Sequence, residues 1–186
     1  MFQRKKEESA IILDFLVNGY ASDRSPIHLK KSIAQAIGTE SFVLLELVPK
    51  KGVFLQPLER VYIGEAKRDK IHHINGKLSF DKLTSTARAE LEHAVFELVK
   101  EQEEKFIGFF NTAQPLNTRM HIIELLPGVG KKHMLEIVEQ RKDSPFKGFQ
   151  DLKSRVKLMP NPEKVISKRI LEELEGKEKH LLFLGR

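Results

Sequence analysis

Apolar positions fall into two regimes along this 186-residue chain. In the first eighty residues they come in short runs. Residues 10–17 are apolar enough for a buried strand, and residues 41–48 give a second. Residues 60–63 give a third, with Val61 and Ile63 on one side. Asn75-Gly76, between residues 70–74 and 77–80, predicts a hairpin because both residues tolerate positive φ. Residues 22–26 are loop chemistry, and residues 31–37 fit either a short helix or an irregular strand. Several short strands with one small helical insert predict a small barrel of the oligonucleotide-binding (OB) type.

From Thr84 the period changes. Ala87, Leu91, Ala94, Val95, Leu98 and Val99 form one apolar stripe, with Glu90, Glu92, Glu97, Lys100 and Glu101 around the rest. This predicts a long helix with Thr84 or Ser85 as its N-cap. Phe106, Phe109 and Phe110 follow as a dense aromatic patch, read as core rather than as a base-stacking surface. Gln114-Pro115 marks the break before a C-terminal helical region.

That region carries the most informative motif, Leu125-Leu126-Pro127-Gly128-Val129-Gly130-Lys131-Lys132. Met120, Ile123 and Leu126 recur upstream at helical spacing, and Met134, Ile137 and Val138 downstream. The pattern predicts helix, glycine hairpin, helix. A turn this tight needs backbone angles that glycine adopts cheaply. The second helix then begins with amides that lack intrahelical acceptors, beside two lysines, which suits a phosphate oxygen. A weak repeat pairs Leu126–Gly130 with residues 159–163, and at the same offset Ile137 with Ile170 and Val138 with Leu171. The second copy lacks both glycines, and Pro162 has no amide hydrogen, so it reads as structural. Between the copies, residues 144–152 form an irregular link with two aromatic anchors, running into a short helix.

Charge adds a distribution to this pattern. The formal net charge is +6. Residues 51–80 carry 6 basic and 3 acidic groups, 81–114 carry 4 and 7, and 115–186 carry 15 and 10. Two basic regions flank an acidic connector, which suits a polyanion met at two faces. There are no cysteines, which excludes disulfides, thiol nucleophiles and the usual zinc and iron–sulfur spacings. The charged N-terminus has no apolar signal core, and no run approaches the ~20 residues of a membrane helix. A cytoplasmic protein without membrane partners is expected.

Catalytic readings find little support. The seven histidines are scattered, and His72 and His73, being adjacent, are expected to point to opposite faces of a strand. Gly128 and Gly130 lack both a dinucleotide-binding strand context and the Walker spacing, so no cofactor is expected. The hairpin is similar to that of base-excision DNA glycosylases of the endonuclease-three type, in which Lys132 would hold the catalytic lysine position. The carboxylate segment that such chemistry needs is replaced here by Asp143-Ser144-Pro145-Phe146.

Over nearly its whole length the chain resembles the archaeal family catalogued as domain of unknown function 655. The segments that carry the resemblance are residues 34–38 with 42–49, Leu83-Thr84 with Ala87, Glu90 and Leu91, and residues 109–113. Arg119-Met120-His121 with 125–132, and residues 145–155, complete it. The resemblance implies an OB-like N-terminal domain joined to a double helix-hairpin-helix domain, no established reaction, and a tilt towards RNA.

The expectation is therefore an α+β protein. It has an OB-like β-barrel over 1–81, a linking helical segment over 82–114, and an all-α tandem helix-hairpin-helix domain over 115–186. It would be a non-catalytic nucleic-acid-binding protein, RNA favoured over DNA. The binding residues expected are Gly128, Val129, Gly130, Lys131, Lys132, Arg141, Lys142 and Lys147. Lys67, Arg68 and Lys70 are expected on a second surface of the barrel. The alternative is an adaptor for ribosomal or transcription proteins, using Phe146, Phe149 and residues 180–184 as an apolar contact. A DNA-repair-type enzyme stands third.

Overall fold

The computed structural model describes residues 6–21, 24–26 and 30–184. The charged extreme N-terminus (1–5), Ser22 and Asp23 of the expected loop, and His28 lie outside them. The fold is α+β, and the chain divides into two compact units. Residues up to Val95 with those from Glu172 form the first, and Phe96–Leu171 the second. Residues 82–114, expected as a link, are shared between the two.

The first unit is built on five strands: β1 (Ser9–Leu16), β2 (Ile33–Gly38), β3 (Leu44–Pro49), β4 (Arg60–Tyr62) and β5 (Ile71–Lys77). They form one antiparallel sheet in the order β4-β1-β2-β3-β5. Strands β4 and β5 are its two edges and do not pair, so the sheet curls as a half-barrel without closing. Alternation explains its core. Ala10, Ile12, Ala34, Ala36, Leu45 and Leu47 face one way and cluster with Leu55, Val61, Ile63 and Ile71. Each large aliphatic buried there contributes about 1.5–3 kcal/mol.

The choice left open for residues 31–37 resolves as a strand. Its central Gln35, wholly buried, turns away from the cluster and donates from Nε2 to the Lys82 carbonyl at 2.9 Å. Gln35 Oε1 accepts from the Thr84 amide at 2.9 Å. Thr84 caps helix α1 (Ser85–Glu101), its Oγ1 accepting from the Ala87 amide at 3.0 Å and donating to Asp14 at 2.6 Å. Two carboxylates, the half-buried Glu7 and the buried Glu173, close the unit. Glu7 accepts from the Glu40 and Ser41 amides, each at 2.7 Å, and burial pushes its carboxyl above the usual value. Glu173 accepts from the Leu182, Phe183 and Leu184 amides at 2.7, 3.1 and 3.0 Å. Leu182 and Phe183 are buried there, so the C-terminal segment completes the core of this unit.

Two expectations change in this unit. Asn75-Gly76 is not a hairpin turn. Strand β5 runs through it, and Asn75 is the extra residue of a bulge between the Glu46–Gly76 and Leu47–Ile74 pairs. Its side-chain amide bonds the Glu46 carboxylate, which gives this residue a role in the strand. A second irregularity leaves His72 unpaired beside Val48–His73. The bulge turns the two imidazoles together, with Nδ1 atoms 2.7 Å apart, where simple alternation predicts opposite faces. Phe54 is 73% exposed, with the Phe15 ring against it edge-on at 5.7 Å.

The second unit is mainly helical. The long helix expected from Thr84 breaks at Gln102, whose φ of −103° and ψ of 31° separate α1 from α2 (Glu103–Thr112). Phe106, Ile107, Phe109 and Phe110 are all buried, as the core reading of the aromatic patch required. Two short strands, β6 (Pro115–Asn117) and β7 (Met120–His121), then form a small ribbon. Helices α3 (Lys131–Asp143), α4 (Phe149–Arg155) and α5 (Pro162–Leu174) follow. The link before α4 is anchored as expected. Phe146 and Phe149 are buried, and Asn111 and the Phe146 backbone exchange hydrogen bonds of 2.9 and 2.8 Å.

The arm upstream of the glycine hairpin is not an α-helix. It is a single 3-10 turn, Ile122–Leu125, entered from β7. His121 starts it, with Nδ1 accepting from the Ile123 amide at 3.2 Å while Glu124 accepts from the His121 amide at 2.8 Å. Helical spacing over 120–126 arose from only three apolar positions, too few to distinguish a strand end followed by one tight turn.

Candidate functional site

The glycine motif folds as a closed turn. The Val129 amide donates to the Leu126 carbonyl at 3.1 Å, with Pro127 and Gly128 between them. Gly128 has φ of 79°, the left-handed value that the third residue of a type II turn requires after proline. Val129 is buried and anchors the turn, and Gly130, in extended conformation, is the N-cap of α3.

Two of the amides expected to grip a ligand are already engaged. Val129 closes the turn, and Gly130 donates to His133 Nδ1 at 3.3 Å. The Lys131 and Lys132 amides, in the first turn of α3, have no intrahelical acceptor by helix geometry. Both lysine side chains are exposed at this positive helix end. The exposed Leu135 shares their helix face, four residues after Lys131 and three after Lys132. The structure therefore brings Gly128, Val129, Gly130, Lys131 and Lys132 together.

It does not bring the other expected residues to them. Arg141 turns inwards and donates from Nη1 to the Phe110 carbonyl at 2.8 Å, where burial pulls the guanidinium below its ordinary value. Lys142 pairs with Glu139 at 2.8 Å. It lies eleven residues after Lys131, about 16 Å along the helix at 1.5 Å per residue. Lys147 stands beyond the end of α3, its amide donating to Asp151 at 3.0 Å. In the first unit Lys70 pairs with Glu59, and Arg68 Nε donates to the Gly64 carbonyl at 2.8 Å.

Residues outside the expected binding set complete the site. The Met159 amide reaches the Val156 carbonyl at 3.4 Å, closing a second turn around Lys157 and Leu158. Leu158 occupies the left-handed position with φ of 55°. The two turns thus match Leu126 with Val156 and Gly128 with Leu158, three residues away from the register of the sequence repeat. They are neighbours, since a Cβ on Gly128 would lie 3.8 Å from Pro160 Cγ. Helix α3 holds the second turn directly. Glu136 accepts from the Lys157 amide at 3.1 Å, and His133 Nε2 lies 3.1 Å from the Leu158 carbonyl oxygen. A carbonyl only accepts and the Gly130 amide only donates, so His133 carries its proton on Nε2. His133, at the third position of α3, is readable as a cap; nothing in the sequence marks Leu158.

No helix among the described residues is long and apolar enough to cross a membrane. Nor does any group of three or more His, Cys, Asp or Glu side chains among them converge as metal ligands would.

The α+β fold with its curled antiparallel sheet is shared with related proteins. The chain belongs to the family described as Protein of unknown function (DUF655), whose model matches residues 6–185. It is 42% identical over 183 residues to the uncharacterized protein MJ0038 of Methanocaldococcus jannaschii, covering 97% of this chain and 81% of that protein. It is similar in structure to Af1531 from Archaeoglobus fulgidus, known from a crystal structure of the same family. The TM-score is 0.87 and the identity 42%, covering 95% of this chain and 99% of the other.

Proposed function

We propose that this protein binds nucleic acid through its phosphate backbone, RNA favoured over DNA, without catalysing a reaction. The observation that carries the proposal is the Leu126–Lys132 turn. It delivers the open amides of Lys131 and Lys132, and two exposed ammonium groups, to one helix end. We read this as a helix-hairpin-helix type of grip whose first arm is shortened to a 3-10 turn, and the curled sheet as an OB-like half-barrel. Contacts of this kind position a protein on a strand without reading its sequence.

Burial weighs against the rival adaptor reading. Phe146, Phe149, Leu182 and Phe183 are buried, which argues against their serving as that contact. For the proposal, three to five neutralised phosphates would give a log–log salt slope of roughly −2 to −4. The test is fluorescence anisotropy on unrelated RNA and DNA oligonucleotides across a salt series, for the wild type and a Lys131→Ala/Lys132→Ala variant. A similar loss on every sequence with a shallower slope supports the proposal. Unchanged binding by that variant rules out this turn as the contact.

A further inference from the structure

Leu158 is at odds with its surroundings in two ways. It is 93% exposed, the most exposed of the large apolar residues in the described chain. Its backbone is also left-handed, with φ of 55°, a region that glycine and asparagine enter far more readily than leucine. Exposure leaves the side chain without packing to offset that strain. A glycine at 158 would make the same turn, as Gly128 does in its neighbour.

The turn is nevertheless held in place. Glu136 takes the Lys157 amide, and His133 Nε2 donates to the Leu158 carbonyl. The same imidazole accepts from the Gly130 amide through Nδ1. One side chain thus ties the strained leucine to the glycine that caps α3, the helix end proposed above to hold a phosphate. The cations at this place are Lys131, Lys132 and Lys157, all exposed. A single projecting leucine among lysines is too small and too charged in its setting for a protein–protein interface, which needs several hundred Å² from each side. It is the right size to enter a base step, as apolar wedges do when a neighbouring backbone is held by cations.

We propose that Leu158 is such a wedge, inserting between bases next to the phosphate gripped at the N-terminus of α3. The inference rests on the nucleic-acid reading of that helix end and adds a second mode of contact to it. Strain at 158 then has a function: it aims the side chain outwards from a turn whose ends are fixed on α3.

The test uses short RNA and DNA hairpins and duplexes carrying 2-aminopurine at successive positions, whose fluorescence rises when the base is unstacked. The full-length wild type is compared with Leu158→Asn, which keeps a residue tolerant of positive φ, and with Lys131→Ala/Lys132→Ala. The expected result is a fluorescence rise at particular positions with the wild type. Leu158→Asn should abolish it and weaken binding roughly five- to tenfold, with the salt slope unchanged and Tm equal to or above that of the wild type. Binding that depends on Lys131 and Lys132 but gives no unstacking, or unstacking that survives Leu158→Asn, overturns the wedge alone. That outcome would leave the phosphate grip standing and turn Leu158 over to a protein contact. A lowered Tm in Leu158→Asn also overturns it, by making the side chain structural. Binding indifferent to both lysines removes the underlying reading, and the wedge with it.

Discussion

The two turns of the helical unit share one backbone plan and differ at the residue that plan treats worst. Leu126–Val129 places Gly128 at φ of 79°, and Val156–Met159 places Leu158 at φ of 55°. Both are closed by an amide reaching back to a carbonyl, and both end on a buried residue, Val129 or Met159. The first presents a bare backbone beside two lysines. The second presents an aliphatic side chain that projects into solvent. A repeat that degenerates for want of use would be expected to relax its strain, and the second turn has kept it. The two turns therefore differ in what they offer a ligand, hydrogen-bond donors from one and an apolar tip from the other.

The strongest way to break that comparison is to exchange the demands of the two positions. Gly128→Val puts a branched residue where φ is 79°, and should cost about 1–3 kcal/mol in urea denaturation. Leu158→Gly relieves roughly 1–2 kcal/mol of left-handed strain. It also admits glycine's extra unfolded-state freedom, about 0.5–1 kcal/mol. The sum is neutral to slightly stabilising. If both changes cost the same, the turns are not conformational equivalents and the contrast between them collapses.

Of similar size is Arg141→Ala. The guanidinium bonds the Phe110 carbonyl in a half-buried setting, and losing a charged hydrogen bond there should cost about 1.5–3 kcal/mol of stability. Its binding should keep the full salt slope once the protein is folded. A shallower slope would return Arg141 to the interface. Lys131→Ala/Lys132→Ala should show the opposite profile. Stability should stay within about 0.5 kcal/mol. Affinity should fall by up to about 2 kcal/mol, roughly thirtyfold, with a slope shallower by about 1–2.

Much of this arrangement was legible because it rests on short-range patterns. Strands β1 and β4, the Thr84 cap, helix α3 and the Gly128 turn each follow from residues within a few positions of one another. What was hidden depends on partners far along the chain. Asn75-Gly76 reads locally as a turn, and only the pairing of β5 with β3 makes it a bulge. Arg141 carries the same charge as Lys142, and only the end of α2, some thirty residues earlier, draws it inwards. The repeat slipped by three residues because prolines and aliphatics recur at several offsets. The feature that aligns the turns, a positive φ at Leu158, has no signature in a leucine codon.

The arms leading into the two turns differ as well, and this gives the smallest predicted effect. The second turn is entered from α4, the first from a 3-10 turn whose start depends on His121. His121 is 6% exposed, with Nδ1 accepting from the Ile123 amide and Nε2 without a hydrogen-bond partner among the described residues. Burial, reinforced by the charge of Arg141 and opposed by Glu124, holds its pKa below the ordinary 6.5. The folded state therefore binds the proton less readily than the unfolded chain. The contribution of His121 to stability is complete above about pH 6.5 and is lost as pH falls from there through the lowered folded value. His121→Asn keeps an acceptor able to cap Ile123 but cannot titrate. Thermal melts at pH 7.5 and 5.5 should show a larger fall in Tm for the wild type than for His121→Asn. The protection factor of the Ile123 amide, its exchange relative to the intrinsic rate at each pH, should fall at the lower pH while that of Met159 does not. Equal pH dependence in both proteins would mean that His121 does not couple protonation to the first arm, and that the two turns differ only at residues 128 and 158.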